Sequence, residues 1–173
     1  MAFTLNILPL AGDDIEELVN LVNSAYRGES SKKGWTTEAN LLDGLRTDQK
    51  SIQALMEKPG AIILSATNES RRIVGCVYLQ PKGQQLYLGM LTVAPDLQAK
   101  GIGKQLLLAA ETWGRKINCS SILMSVIDIR HELIDWYQRK GYQSTGEKKP
   151  FPPDNAFGIP KQPLQFIMLE KKI

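Results

Sequence analysis

The sequence predicts an α/β domain with a mixed central sheet, whose elements follow the order β-α-α-β-β-β-α-β-α-β-β. A run of apolar residues near the middle of the chain leads through a glycine-bearing turn into a long amphipathic helix. Strands separated by short turns precede that unit, and strand-like and helix-like segments alternate after it. With 173 residues, 43% of them hydrophobic, we expect one domain over residues 1–173.

The first half of the chain contains the predicted meander of strands. Phe3, Leu5 and Ile7 alternate with polar residues, which is typical of a half-buried first strand. Threonines and a Pro-Gly pair mark the boundaries of the segments that follow. The other elements predicted up to the central strand are helices at 13–27, from Thr36 or Thr37 to Leu45 and from Thr47 to Met56, and strands at 61–66, 73–79 and 86–93.

The second half begins where the central strand ends, near Val93, because Pro95 cannot continue a hydrogen-bonded ladder. Apolar residues then recur at steps of about three to four from Gly101 to Ile117, which predicts a helix. A right-handed crossover makes the next strand a parallel neighbour of the central strand. The elements predicted after this helix are a strand at 121–127, a helix at 131–140 that ends at Gly141, a strand at 142–145, an irregular segment at 150–163 with five of the nine prolines, and a strand at 164–169.

The start of the helix at Gly101 carries an unusual charge. A helix start has unpaired backbone N–H groups and a partial positive charge, so acidic residues are preferred there. This helix start has Lys100 and Lys104 instead, and Gly101 and Gly103 lack a Cβ that would hold a ligand away from the backbone. The turn is therefore predicted to bind a phosphate group.

Two common phosphate motifs do not match this turn. Gln98 and Gln105 occupy the positions where a P-loop needs Gly and Ser or Thr. Leu106 occupies the position of the third Gly of a dinucleotide fingerprint.

The segment Gln98–Gly103 resembles the Q/R-x-x-G-x-G/A signature of the GNAT superfamily of acyl-CoA-dependent N-acyltransferases. It is preceded by the L-x-V-x-P strand end, Leu91–Pro95, that is usual in that family. A second match, Ile134–Tyr142, is similar to the family's F-Y-E-K-x-G-F segment. The alternative is a glycine-rich helix start of purely structural purpose.

The resemblance implies the GNAT fold with splayed central strands and acetyl-CoA as cosubstrate. Backbone groups of the central strand would pair with the pantetheine arm, and Gly89 is compatible with a bulge that starts the splay. Main-chain N–H groups of the turn would bind the pyrophosphate. The expected cofactor contacts are Leu91, Thr92, Val93, Gln98, Ala99, Lys100, Gly101, Ile102, Gly103, Lys104 and Arg130.

Tyr137 aligns with the family's tyrosine near the CoA sulfur, which implies a general acid that protonates the leaving thiolate. The alternative is a tyrosine that only packs on its helix. Arg130 stands where the family commonly has Asn, so it is either a contact of a cofactor phosphate or a solvated arginine at a helix start. The candidate bases are Glu29, Asp128, His131 or an ordered chain of water.

The acceptor is expected on the side opposite CoA, between the 26–35 loop and the 150–163 segment. Tyr26, Arg27, Glu29 and Trp35 are the predicted acceptor contacts. Basic residues outnumber acidic ones there, so we expect an acceptor with a carboxylate or other anionic group rather than a polyamine. The residues counted are Arg27, Lys32, Lys33, Lys148, Lys149 and Lys161 against Glu29, Glu147 and Asp154.

Composition excludes several other classes. The net charge of +3 falls short of what nucleic-acid binding requires, and no apolar run is long enough for a membrane span. Cys76 and Cys119 lack the spacing of a zinc site, so we expect no metal. The N-terminus lacks the features of a signal peptide, which predicts a soluble, cytoplasmic protein.

These observations lead to two main hypotheses. The first is an N-acetyltransferase that moves an acetyl group from acetyl-CoA to a primary amine of a small metabolite by direct transfer. The second is an acyl-CoA-binding regulator that keeps the cofactor cleft but turns over weakly or not at all. A homodimer is compatible with the resemblance, because dimers are frequent in the family.

Overall fold

The computed structural model of the protein describes residues 4–155 and 157–173. It contains nine strands and five helices within these ranges. The predicted strand residue Phe3 lies outside them. The strands are β1 Asn6–Pro9, β2 Leu42–Asp43, β3 Ile62–Thr67, β4 Ile73–Lys82, β5 Gln85–Val93, β6 Ser121–Ile127, β7 Gln143–Pro150, β8 Ile159–Pro160 and β9 Gln165–Lys172, and the helices are α1 Ile15–Tyr26, α2 Gly28–Ser31, α3 Gln49–Met56, α4 Ile102–Lys116 and α5 His131–Arg139.

Seven of these strands form one mixed sheet in the order β1-β3-β4-β5-β6-β9-β7, which confirms the predicted fold class. Only β5 and β6 are parallel, and the crossover between them is α4, as predicted. β2 and β8 pair separately as a two-stranded antiparallel sheet.

The core lies around β4, where seven consecutive residues, Ile73–Leu79, are buried. A strand with both faces covered is apolar throughout, because neither face meets water. α1 and α4 pack on β4 and β5 through their apolar faces, with Leu18 and Leu106 fully buried. None of the described helices has the length and apolar character to cross a membrane.

The predicted helix from Thr36 or Thr37 to Leu45 is wrong. This segment is a turn followed by β2, and Gly44 has φ +83°. Its backbone pairs with β8 across more than 100 residues of chain, and its Glu38 side chain forms ion pairs with distant arginines. Such long-range contacts override local helix propensity.

Other predicted element boundaries differ from those of the structure by smaller amounts. The predicted cap at Thr47 is replaced by Asp48, whose Oδ1 accepts a 2.7 Å hydrogen bond from the Ser51 N–H. The predicted loop after Tyr26 contains the single turn α2. β7 extends to Pro150, well beyond the predicted Thr145, because it follows β9 along the sheet edge.

Candidate active site

The site begins where β5 and β6 separate. The two strands pair only at Gln85–Tyr87 of β5, although β5 continues to Val93 and β6 to Ile127. The Ala94 N–H donates to Val74 of β4, so strand alternation turns the N–H and C=O groups of Leu91 and Val93 toward the gap beside β6. The predicted splay is thus present.

A bulge in β5 starts this separation. Cys76 of β4 faces Thr92, and Tyr78 faces Gly89, which leaves Met90 and Leu91 opposite a single residue. Gly89 adjoins the bulge, as expected, and the positive φ, +53°, is at the next residue, Met90. The Met90 carbonyl accepts a 3.0 Å hydrogen bond from the Thr92 hydroxyl, which is buried. The Thr92 side chain therefore serves the bulge and does not line the gap.

The turn at 98–104 presents main-chain donors at the other end of the gap. The backbone at Ala99 and Gly101 is not helical, with φ +63° and +85°. The first helical hydrogen bond runs from Gln105 N–H to Gly101 C=O. The N–H groups ahead of Gln105 thus precede the helical ladder, and left-handed residues curve such groups into a concave anion site. Gly103 carries no Cβ, and a Cβ there would lie 3.4 Å from the Trp136 ring.

The side chain of Gln98 is held by hydrogen bonds within the protein. Its Nε2 donates to Thr36 Oγ1 at 2.7 Å and to the Val93 carbonyl at 3.2 Å, and its Oε1 accepts from the Trp35 N–H at 2.8 Å. The signature glutamine therefore fastens the 35–36 segment to the end of β5. A Cβ at Gly34 would collide with this amide, which explains the glycine there.

The turn and the splayed strand line one cleft of about 540 Å³. Trp35 and Trp136 form its aromatic wall, with ring centroids 6.2 Å apart. Lys104 lies on this cleft, whereas Lys100 does not line it. The predicted cofactor residues that line the cleft are Leu91, Val93, Gln98, Ala99, Gly101, Ile102, Gly103 and Lys104.

Tyr137 lies on α5 at the inner end of this cleft. Its ring packs on Trp136 and Tyr142, with centroids 5.1 and 5.9 Å away. Burial raises the pKa of Tyr137 well above its usual range, and the neighbouring Tyr26 adds to this effect. The hydroxyl is therefore protonated at neutral pH, and we find no hydrogen-bond partner for it among the described residues.

Tyr26, at the end of α1, stands across the gap from Tyr137. Its hydroxyl donates to the Leu91 carbonyl, so it clamps α1 to the splayed strand. Burial raises the pKa of Tyr26 to about 12, and the Glu38 carboxylate contributes in the same direction. Since the Leu91 and Val93 carbonyls both accept side-chain hydrogen bonds, the N–H groups are the donors that this edge can offer a ligand.

A second cavity of about 370 Å³ lies on the other side of the splay. Four residues line both cavities, so the two meet there: Tyr26, Leu91, Leu133 and Tyr137. The outer wall is formed by Phe151 and Phe166, whose ring centroids are 5.2 Å apart, and by Phe157.

A cluster of buried charges lies in this second cavity. The Glu38 carboxylate, in a residue only 8% exposed, is 3.3 Å from Arg27 through Oε1 and 3.3 Å from Arg130 through Oε2. Arg130 also donates to the Thr36 carbonyl at 2.7 Å. Burial lowers the pKa of Arg27, and the Glu38 carboxylate opposes that effect.

Three predicted contacts lie elsewhere than expected. Arg130 lines the second cavity rather than the cleft with the glycine turn, and its guanidinium is bound to Glu38 and Thr36. Glu29 pairs with Lys32 on the exposed surface of α2 and lines neither of these two cavities. Trp35 lies on the turn side.

Of the proposed bases, none lines either cavity. His131 is exposed at the start of α5. Asp128 has a buried Oδ1 without a hydrogen-bond partner among the described residues, but it lies outside the lining. No group of three or more metal-ligating side chains occurs in the described part of the chain.

Sequence reasoning missed Trp136, Glu38 and Arg46. Trp136 stands in the second matched segment, next to Tyr137, so the segment itself was the available signal. Glu38 and Arg46 carry no local signal, because each has a partner far along the chain. Glu38 pairs with Arg130, 92 residues away, and Arg46 stacks on the Phe157 ring, 5.0 Å from Cζ to the centroid.

Comparison with solved structures agrees with this architecture. The ribosomal-protein-S18-alanine N-acetyltransferase from Escherichia coli superposes with a TM-score of 0.71 at 14% identity, over 98% of this chain and 94% of that one. The PaiA N-acetyltransferase from Thermoplasma acidophilum, solved in complex with coenzyme A, gives 0.69 at 16% identity, over 98% and 99%. At such identities the likeness shows the fold.

Sequence comparison adds the family. The mycothiol acetyltransferase of Rhodococcus opacus (strain B4) is 24% identical over 154 residues, which cover 78% of this chain and 50% of that protein. The chain therefore spans half the length of this curated relative. The model of the acetyltransferase (GNAT) family matches residues 15–142, which include β3–β6, the glycine turn and α5, and on this evidence the chain belongs to the GNAT acetyltransferase family.

Proposed function

We propose that this protein is an N-acetyltransferase that moves an acetyl group from acetyl-CoA directly to the primary amine of a small metabolite. The observation that carries the proposal is the meeting of two cavities at the splay, with Tyr137 in the wall that they share. One cavity leads to the main-chain donors of the glycine turn, and the other to a separate chamber of acceptor size.

The residues of the first cleft fit acetyl-CoA. The N–H groups of residues 99–104 would bind the pyrophosphate, with Lys104 as an outer charge. The N–H groups of Leu91 and Val93 would pair with the amides of the pantetheine arm, as in an added strand. Acetyl-CoA, when bound, supplies an acetyl group activated as a thioester.

The splay then aligns the reactants and stabilises charge. A main-chain N–H of β5 near Leu91 would donate to the thioester oxygen, where negative charge develops. The acceptor nitrogen bonds to the acetyl carbon while the carbon–sulfur bond breaks. Tyr137 gives its proton to the departing thiolate and regains one from solvent. The acceptor nitrogen loses two protons to water, one from the ammonium before attack and one after the nitrogen–carbon bond has formed. Its raised pKa keeps Tyr137 protonated for this step.

A second candidate is an acyl-CoA-binding regulator with weak or no turnover. It is favoured by one observation: the shared wall of Tyr26, Leu91, Leu133 and Tyr137 contains no carboxylate or imidazole that could deprotonate an ammonium. Direct transfer then depends on water as the proton acceptor, whereas a regulator needs none.

Release of free CoA from acetyl-CoA, measured with a thiol reagent over a broad panel of primary amines, separates the two candidates. We expect at least one amine to accelerate release well above the rate of hydrolysis. Binding of acetyl-CoA by calorimetry without acceleration by any amine would overturn the enzyme and favour the regulator. Spermidine and amino acids both belong in the panel, since amino acids carry a carboxylate and spermidine carries only cationic groups.

A further inference from the structure

From the charges of the second cavity we infer that the acceptor is a primary amine that carries a carboxylate, bound by the Arg27 and Arg46 guanidinium groups, together with an apolar body. This inference deepens the proposed function and rests on it. It differs from the count of loop charges, because only Arg27 and Lys149 of the basic residues counted there line the cavity.

Arg27 is 6% exposed and lines this cavity. Its Nη2 donates to the Phe157 carbonyl and lies 3.3 Å from Glu38, but Nε and Nη1 are buried without an acceptor among the described residues. Buried charged donors without partners are costly, and natural proteins rarely keep them without a purpose. A carboxylate in the cavity would give the Arg27 guanidinium a second anionic partner beside Glu38.

Cationic side chains outnumber anionic ones in the lining of this cavity. Glu38 is one carboxylate shared by two buried arginines, Arg27 and Arg130. Arg46 adds a third guanidinium to the same cavity. Lys82 and Lys149 also line it, and Lys149 lies 3.9 Å from Glu147, which is not a lining residue. The cavity thus holds five cationic side chains and one anionic one. A zwitterionic amine with a carboxylate is attracted here, whereas a polyamine is repelled.

Aromatic rings form one wall of this cavity. Arg46 lies on the Phe157 ring, and Phe151 packs between Phe157 and Phe166 at centroid distances of 6.4 and 5.2 Å. The cationic groups therefore border an aromatic wall, which suits an acceptor with an apolar side chain. Tyr26 and Arg27 are consecutive, so the carboxylate would be held next to the wall shared with the first cleft. That arrangement leaves the amine free to face the thioester.

The experiment uses matched acceptors with the intact protein. Leucine, leucinamide and isoamylamine share one apolar body, but only leucine carries a carboxylate, and phenylalanine with its amide repeats the comparison. We expect kcat/KM to be at least tenfold higher for each acid than for its amide. Arg46→Gln and Arg27→Gln should each lower that ratio at least fivefold, whereas Lys33→Gln, which removes an exposed charge outside the cavity, should leave it unchanged.

Two outcomes would overturn the inference. Amides, simple amines or spermidine accepted as well as the acids would refute it while leaving the transferase intact. If no amine is acetylated, the proposed function fails, and binding of N-acetylleucine and N-acetylleucinamide to the CoA-loaded protein decides the inference by calorimetry. Preference for the acid, lost in Arg46→Gln, would support it, and equal binding would refute it. Arg46 is partly exposed, so its substitution tests the cavity even if Arg27→Gln does not fold.

Discussion

Substitution of Gly101 by alanine tests how much the phosphate turn depends on one backbone conformation. Gly101 has φ +85°, and a Cβ added there would have no heavy atom within 4 Å. The change therefore adds no clash, and its effect comes from the left-handed backbone alone. An L-residue in that conformation costs about 1–2 kcal/mol. For a chain of this size such a loss lowers Tm by roughly 2–8 °C.

The chain provides a matched control two residues away. Gly103 occupies the first turn of α4, where its Cβ would lie 3.4 Å from the Trp136 ring and 3.7 Å from Val93. These are contact distances, and alanine is the better helix former by roughly 0.5–1 kcal/mol. Gly103→Ala should therefore be neutral or slightly stabilising, and it should keep CoA binding within about threefold, that is, within about 0.7 kcal/mol.

Urea unfolding and calorimetry with CoA measure the two effects separately. Gly101→Ala should lose about 1–2 kcal/mol of unfolding free energy. It should also bind CoA at least tenfold more weakly, because relief of the strain moves the N–H groups of the turn. A Gly101→Ala protein with unchanged stability and CoA affinity would refute this reasoning, as would a larger loss of affinity in Gly103→Ala.

Three further predictions follow from the same geometry. Tyr137→Phe should lower kcat at least tenfold with little change in acetyl-CoA affinity, measured by steady-state kinetics and calorimetry, and an unchanged kcat would remove its role as general acid. Gln98→Ala should lower the free energy of unfolding by about 1–3 kcal/mol and raise the KM for acetyl-CoA, because the 35–36 segment is released. Gln105→Ala, next to the same turn, is the control. Equal effects in both variants would contradict the fastening role of Gln98. Because burial raises the pKa of Tyr26 to about 12, its contribution to stability is complete below pH 10 and is lost as the pH rises from 10 through about 12, which amounts to about 3 kcal/mol. Urea unfolding at pH 8 and pH 11.5 should show a smaller alkaline loss in Tyr26→Phe than in the natural sequence, and equal losses would refute the assignment.

Local sequence patterns were sufficient to predict the central strand, the glycine turn and α4, which carry the first cleft. Pro95, the glycines of the turn and the apolar spacing of α4 each act within a few residues of chain, so strand, turn and helix were predicted at nearly their final bounds. The parallel pairing of β5 and β6 followed from the crossover rule.

Long-range contacts account for what the sequence could not reveal. Glu38 lies 92 residues from Arg130, and the ion pair between them belongs to a turn where local propensity favoured a helix from Thr36 or Thr37 to Leu45. Gln98 was identified by its motif, but its side-chain partners lie 62 and 63 residues upstream, so its fastening role became visible only in the fold. The left-handed conformation in the bulge lies at Met90 and not at the neighbouring Gly89, so residue type alone does not locate it.

The second cavity was also predictable in part from the sequence. The 26–35 loop and the proline-rich segment were expected to border it, and Arg27 and Phe151 do line it. The position of Gly158 depends on tertiary packing: with φ +107°, a Cβ there would lie 2.8 Å from the Asp43 carbonyl and 3.2 Å from Arg27 Nη2. Arg46 also lines the cavity, and its guanidinium stacks on the Phe157 ring, a contact that no local pattern in the sequence indicates.

The proposed function depends most on the binding of the CoA diphosphate by the main-chain N–H groups of residues 99–104. Titration of ¹⁵N-labelled protein with CoA, followed through the backbone amide resonances, tests this claim most directly. We expect the largest shifts at the amides of Ala99 to Lys104, with smaller ones at Leu91 and Val93. Saturation of the protein with CoA while the amides of 99–104 remain unshifted would contradict it.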